Sequence, residues 1–79
     1  MMAQPINVVL RNGERATVHA IEQDASIEPW AVRGRRANDV AELWRRDGHW
    51  REDGGAHPLD ILYLLAPYGS YTPLTTPFQ

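Results

Sequence analysis

The side chains best able to hold a metal are three histidines, two of which, His49 and His57, bracket Asp53 in a short polar stretch. Imidazole and carboxylate are ordinary zinc ligands, but the close ligand pairs that mark zinc sites are missing here. His19 stands alone in an alternating run and reads as a surface or edge residue. Nucleophilic catalysis needs a base and an orienting group within reach of a hydroxyl or thiol. The chain has no cysteine, and Ser26 and Ser70 fall in loop-like stretches with no motif around them. Ten carboxylates offer acid–base chemistry, yet nothing selects a pair. Neither a P-loop nor a dinucleotide-binding glycine motif occurs. The chain therefore reads as a non-enzyme that needs no metal and no cofactor.

Arginine has more to offer a partner. All eight basic residues are arginine, and Arg33, Arg35, Arg36, Arg45, Arg46 and Arg51 fall close together. Glu22, Asp24 and Glu28 precede this block, and Glu52, Asp53 and Asp60 follow it. Guanidinium suits planar, bidentate and stacked contacts, although a GC-rich coding sequence also favours arginine over lysine. Arginines interleaved with Trp30, Trp44 and Trp50 fit single strands of nucleic acid, and they equally fit a protein interface. The three tryptophans read first as core, and a net charge of −2 argues against non-specific nucleic-acid binding. The expected partner contacts are Glu22, Asp24, Glu28, Arg33, Arg35 and Arg36, with the acids on a face of their own. Asp60, framed by Leu59 and Ile61, is either a partner contact or a structural acceptor in a helix first turn or loop.

These side chains must be positioned by a small scaffold. Seventy-nine residues make one domain. A chain of about this size buries only about 60% of its unfolded surface, so every large apolar side chain counts. Without cysteine no disulfide can help, which fits a reducing compartment. No apolar stretch approaches the roughly 20 residues that span a bilayer. Met1-Met2-Ala3-Gln4-Pro5 has neither the basic flank nor the apolar run of a signal peptide. The expectation is a soluble cytoplasmic protein.

Two turn signals, Arg11-Asn12-Gly13 and Arg46-Asp47-Gly48, sit between short apolar–polar runs and predict hairpins. A two-residue Asn12-Gly13 turn would set Leu10 against Arg15 and scatter apolar residues over both faces. A three-residue loop sets Leu10 against Glu14, Val8 against Ala16 and Ile6 against Val18. That register gathers Ile6, Val8, Leu10, Ala16, Val18 and Ala20 on one face, and a one-residue slip would turn all of them over. By the same logic the second loop sets Trp44 opposite Trp50. Such an aromatic pair favours its register by about 0.2–1 kcal/mol.

Between the turns, Trp30 and Val32 share one face of a strand and Arg33 and Arg35 the other. Gly34, on the apolar side, marks a bulge or the close packing of a tryptophan. Residues 38–44 read as a strand, with a short helix capped by Asn38 or Asp39 as the alternative. Segment 58–65 is helix or strand; as a helix, Ile61, Leu62 and Leu65 would cover the open sheet face. Residues 67–79 hold three prolines and four serines or threonines, which predicts an extended, loosely ordered tail after a single domain over 1–66. The expected fold is mainly β: a small antiparallel sheet of four or five strands built from two hairpins, with one short C-terminal helix or strand packed on it.

The stretch Leu43-Trp44-Arg45-Arg46-Asp47-Gly48-His49-Trp50, followed by His57-Pro58-Leu59-Asp60-Ile61, resembles small proteins encoded by phages and prophages. In these, a tryptophan-led Asp-Gly hairpin precedes a Pro-x-Asp segment. The resemblance covers about residues 6–65 and lies in scaffold motifs, not in a catalytic signature. In size, acidic balance, missing cysteines and single β-module the chain is also similar to anti-CRISPR inhibitors of type I effector complexes. That resemblance implies stoichiometric occlusion of a Cas protein surface by a monomer or homodimer in the host cytoplasm. Anti-CRISPRs share no common motif, so it assigns no residue. The alternatives are a phage nucleic-acid-binding or transcription-associated module using Arg33, Arg35 and Arg36 on phosphates, and a structural adaptor that offers a sheet edge.

Overall fold

The computed structural model describes residues 5–23, 29–65, 69–75 and 77–78. They form one antiparallel sheet of β1 (Ile6–Leu10), β2 (Arg15–Ile21), β3 (Val32–Arg36), β4 (Ala41–Trp44), β5 (Ile61–Leu65) and β6 (Tyr71–Pro73). The spatial order is β4-β3-β2-β1-β5-β6. There is no helix among the described residues, and the small antiparallel sheet has six strands where four or five were expected. Segment 58–65 contributes a strand, β5, that extends the sheet beside β1 and does not pack on its face. The reason lies just before it: the carbonyls of Pro58 and Asp60 accept from the N–H groups of Asn12 and Arg11 at 3.0 and 2.8 Å. The chain is tied to the first turn before β5 begins.

The first hairpin has the three-residue loop, with Ile6 facing Val18 and Val8 facing Ala16. Leu10 N–H donates to the Glu14 carbonyl at 2.8 Å, and Gly13, at φ 88°, donates back to Leu10 at 2.9 Å. The same pair of bonds recurs between Arg45, Gly48 and His49, and again between Arg36, Asp39 and Val40. Asn38 and Asp39 thus form a turn between β3 and β4 and cap no helix. Asp39 takes φ 67° where the other two turns use glycine.

The second turn forms as expected, but no strand follows it. Trp44 is fully buried and donates its indole N–H to the Leu59 carbonyl at 2.7 Å. Trp50 instead stacks on His57 with ring centroids 4.2 Å apart and donates its indole N–H to Glu42. The expected Trp44–Trp50 pair gives way because the Asp60 carboxylate takes the Trp50 backbone N–H at 2.8 Å. That bond directs the chain across toward β5.

The core comprises Val8, Leu10, Val18, Val32, Trp44 and Ile61, with Ala16 and Phe78 completing it. An extra residue in β2 at His19–Ala20 lies opposite Arg33, and beyond it Ile21 pairs with Val32. Such a bulge reverses which side chains face inward. Ile21 therefore packs against the core in the place expected for Ala20. Gly34 stands beside this bulge, where a Cβ would overlap the Thr17 carbonyl oxygen. Trp30 precedes β3 and is half-buried.

Of residues 67–79 the structure describes 69–75 and 77–78, and these depart furthest from expectation. Tyr71–Pro73 pairs with β5, Leu74 N–H donates to the Leu62 carbonyl at 2.8 Å, and Phe78 is buried in the core. Backbone pairing and one buried aromatic outweigh a composition rich in proline and threonine. Proline is tolerated in β6 because it lies at the sheet edge. The Gly48 carbonyl accepts from Ile61 N–H at 2.9 Å, and Arg46 accepts from Phe78 N–H at 2.7 Å. The turn after β4 thereby meets both β5 and the C-terminal segment, so the sheet curls around its core.

Candidate binding surface

The turn bond between Arg36 and Val40 fixes which β4 residues hydrogen-bond to β3. Bonding alternates along an antiparallel strand, so Val40, Glu42 and Trp44 point their peptide groups at β3. Ala41 and Leu43 point theirs at the open edge, where neither has a backbone partner among the described residues. An open groove of about 1230 Å³ runs beside this edge. It is lined by Ala41 and Leu43 of β4, by Trp30, Arg33 and Arg35 around β3, and by residues 50–53. Leu43 is 43% exposed, a large apolar side chain left in solvent at the groove.

The expected contact residues divide. Arg33 and Arg35 project from the outer face of β3, and both line the groove. Glu22 stands 3.6 Å from Arg33, and Asp39 stands 3.5 Å from Arg35. Acid and base therefore interleave here. Arg36 is directed elsewhere, gripping Glu14 through Nε at 2.9 Å and Nη2 at 3.2 Å. That two-pronged bond holds the Glu14 carboxyl below its ordinary pKa and raises that of Arg36. Asp24 and Glu28 lie outside the described residues.

Asp60 is the structural acceptor of the two readings open to it. It is 1% exposed, and its Oδ1 accepts from Trp50 N–H at 2.8 Å. Its Oδ2 lies 3.0 Å from Arg11 Nη2, 3.0 Å from His57 N and 3.2 Å from His49 Nδ1. Burial pushes this carboxyl up, but the Trp50 and His57 N–H groups, then Arg11 and His49, outweigh it and hold the pKa below its ordinary value. The loop histidines are engaged in the same framework. His57 Nδ1 accepts from Leu59 N–H at 3.1 Å while its ring lies on Trp50. Asp53, the third residue of the sequence triplet, binds Gly55 N–H and Arg51, each at 2.8 Å. Among the described residues no group of three or more His, Cys, Asp or Glu is placed to share an ion.

One residue pair escaped the sequence altogether. The Arg15 guanidinium lies over the Tyr71 ring, 5.6 Å from its centroid, on the outer face of the sheet. The two residues stand near opposite ends of the chain, and only β6 brings them together, so no local pattern could reveal the contact. No protein-family model matches the chain, and no curated protein or solved structure is significantly similar to it.

Proposed function

We propose that this chain is a non-catalytic protein-binding module: a phage-encoded inhibitor that occupies a surface of a type I CRISPR effector in the host cytoplasm. It would block target-DNA recognition or nuclease recruitment by occlusion. The observation that supports protein binding is the groove beside β4, where an open strand edge adjoins Trp30, Leu43, Trp50, Arg33 and Arg35. Tryptophan and arginine dominate the energetics of protein interfaces. Arg35, whose Nη1 donates to the Asp39 carbonyl at 3.2 Å, loses less side-chain freedom on docking. The phage origin comes from the resemblance of the 43–61 scaffold to phage proteins, and the class of partner from the likeness in size, acidic balance, missing cysteines and single β-module to anti-CRISPR inhibitors. The same open edge also suits a structural adaptor that receives a partner's strand.

The test is capture of tagged protein from nuclease-treated lysate containing an active type I effector. One effector subunit, or the whole complex, is expected at near-equal amounts. Ala41→Pro, which removes an outward N–H without touching the β3 ladder, and Leu43→Ala should each reduce retention by about tenfold. Recovery of a phage structural protein instead would favour the adaptor. Recovery that disappears once nucleic acid is digested would reject protein binding in favour of the nucleic-acid module.

A further inference from the structure

We infer that the outer face of the sheet, on the far side of β3 from the open edge, carries a site for a phosphate group built by Arg15 and Arg35 across Thr17. Thr17 of β2 lies directly opposite Asn7 of β1 and Arg35 of β3. Arg15 stands two residues before Thr17 and therefore shares its face. Arg15 and Arg35 are thus diagonal neighbours in register on this face. A cavity of about 270 Å³ opens here, lined by Asn7, Arg15, Thr17, Arg35 and Tyr71, and no carboxylate lines it. Arg36 borders the same cavity but is bound by Glu14.

The local charge is only partly compensated. Arg15 meets no carboxylate among the described residues; its contact is the Tyr71 ring, which takes up none of its N–H donors. Arg35 Nη1 donates to the Asp39 carbonyl at 3.2 Å and lies 3.5 Å from its carboxylate, but that carboxylate is 85% exposed and well screened by solvent. Like charges on neighbouring strands repel, so an anion between them relieves a standing cost. Thr17 donates its hydroxyl to Asn7 Oδ1 at 3.3 Å, which leaves the Asn7 amide nitrogen as a further donor. Two planar forks and an amide make a donor set that matches the oxygens of a phosphate. The volume admits a phosphate with a small attached group and excludes a duplex. Arg35 borders the groove beside β4 as well, but the inference does not rest on the partner proposed for that groove.

The experiment is ¹H–¹⁵N spectroscopy of the full chain, including arginine Nε, titrated at constant ionic strength with inorganic phosphate, adenosine monophosphate or hexathymidylate. Saturable shifts are expected at Arg15, Thr17, Arg35 and the Asn7 side chain. Arg15→Gln and Arg35→Gln should each weaken binding by about tenfold, and the double variant should abolish saturation. Both residues are exposed, and the amide spectrum itself reports that each variant is folded. Response to phosphate and the mononucleotide assigns a phosphomonoester. Response to hexathymidylate alone, falling steeply with salt, assigns the phosphodiester of a single strand. The inference is overturned if no titrant gives saturable shifts, if chloride reproduces them, or if the double variant binds like the parent.

Discussion

Asp60 holds three segments together through one buried carboxylate: the first turn through Arg11, the second through His49 and Trp50, and the approach to β5 through His57. Asp60→Asn places an amide donor among groups that already donate. It should cost about 2–3 kcal/mol, read from the urea midpoint near neutral pH. The pH dependence has a definite sign. Because the folded pKa lies below the unfolded one, this contribution is complete above the unfolded value of about 3.9. It is lost as pH falls from there through the folded pKa. Urea midpoints taken from pH 6 down to pH 2 should decline steeply below about pH 4 in the parent. The decline should be shallower in Asp60→Asn, though not absent, because Asp47 is also held below its ordinary value. There burial is outweighed by bonds from Arg45 and the His49 N–H. An equally steep decline in the variant would show that Asp60 does not dominate acid unfolding. An acid framed by leucine and isoleucine was legible in the sequence as a residue in need of donors. Which donors was not, because three of the four lie in other turns.

At the level of elements, the turns explain both what the sequence revealed and what it concealed. Glycine announced the turns at Gly13 and Gly48, and the alternation of Ile6, Val8 and Leu10 then fixed the first register. The turn at Asp39 has the same hydrogen bonds without the glycine, so a helix cap competed for the same residues. A β-branched side chain there should cost about 1–2 kcal/mol, whereas glycine or asparagine should stay within about 0.5 kcal/mol of the parent. Thermal unfolding of Asp39→Val, Asp39→Gly and Asp39→Asn checks this; equal midpoints would mean that the left-handed backbone there is not maintained. The bulge in β2 was foreshadowed by Gly34, but its place on the partner strand was not, and that place decides that Ile21 and not Ala20 faces inward. Gly34→Ala forces a methyl group onto the Thr17 carbonyl, which backbone alone can relieve. A loss of at least about 2 kcal/mol is expected, with faster hydrogen exchange in β2 and β3 than in β5. Uniform exchange across the sheet would contradict this.

For the whole molecule, the two sheet edges differ, and the difference shows what a composition count cannot see. β6 presents Pro73, which has no N–H to offer, whereas β4 presents the open peptide groups of Ala41 and Leu43. The groove draws its walls from three separated stretches, so its arginines and tryptophans were visible in sequence while their arrangement was not. The C-terminal segment makes the same point more sharply. Counting prolines and threonines placed it outside the domain, but Phe78, the chain's only phenylalanine, is 6% exposed in the core and bonded to the turn at Arg46. A chain of this length has a total stability of about 4–12 kcal/mol, so no large buried side chain is dispensable. Phe78→Ala should remove about 3 kcal/mol and lower the melting midpoint by about 12–24 °C. Phe78→Leu, which keeps most of the apolar volume, should lose less than half as much. If Phe78→Ala melts within about 2 °C of the parent, the segment contributes nothing to the core and the domain ends before β6. A loss of the expected size instead makes the last strand and its phenylalanine the closure of the fold, the step that also sets Tyr71 beneath Arg15.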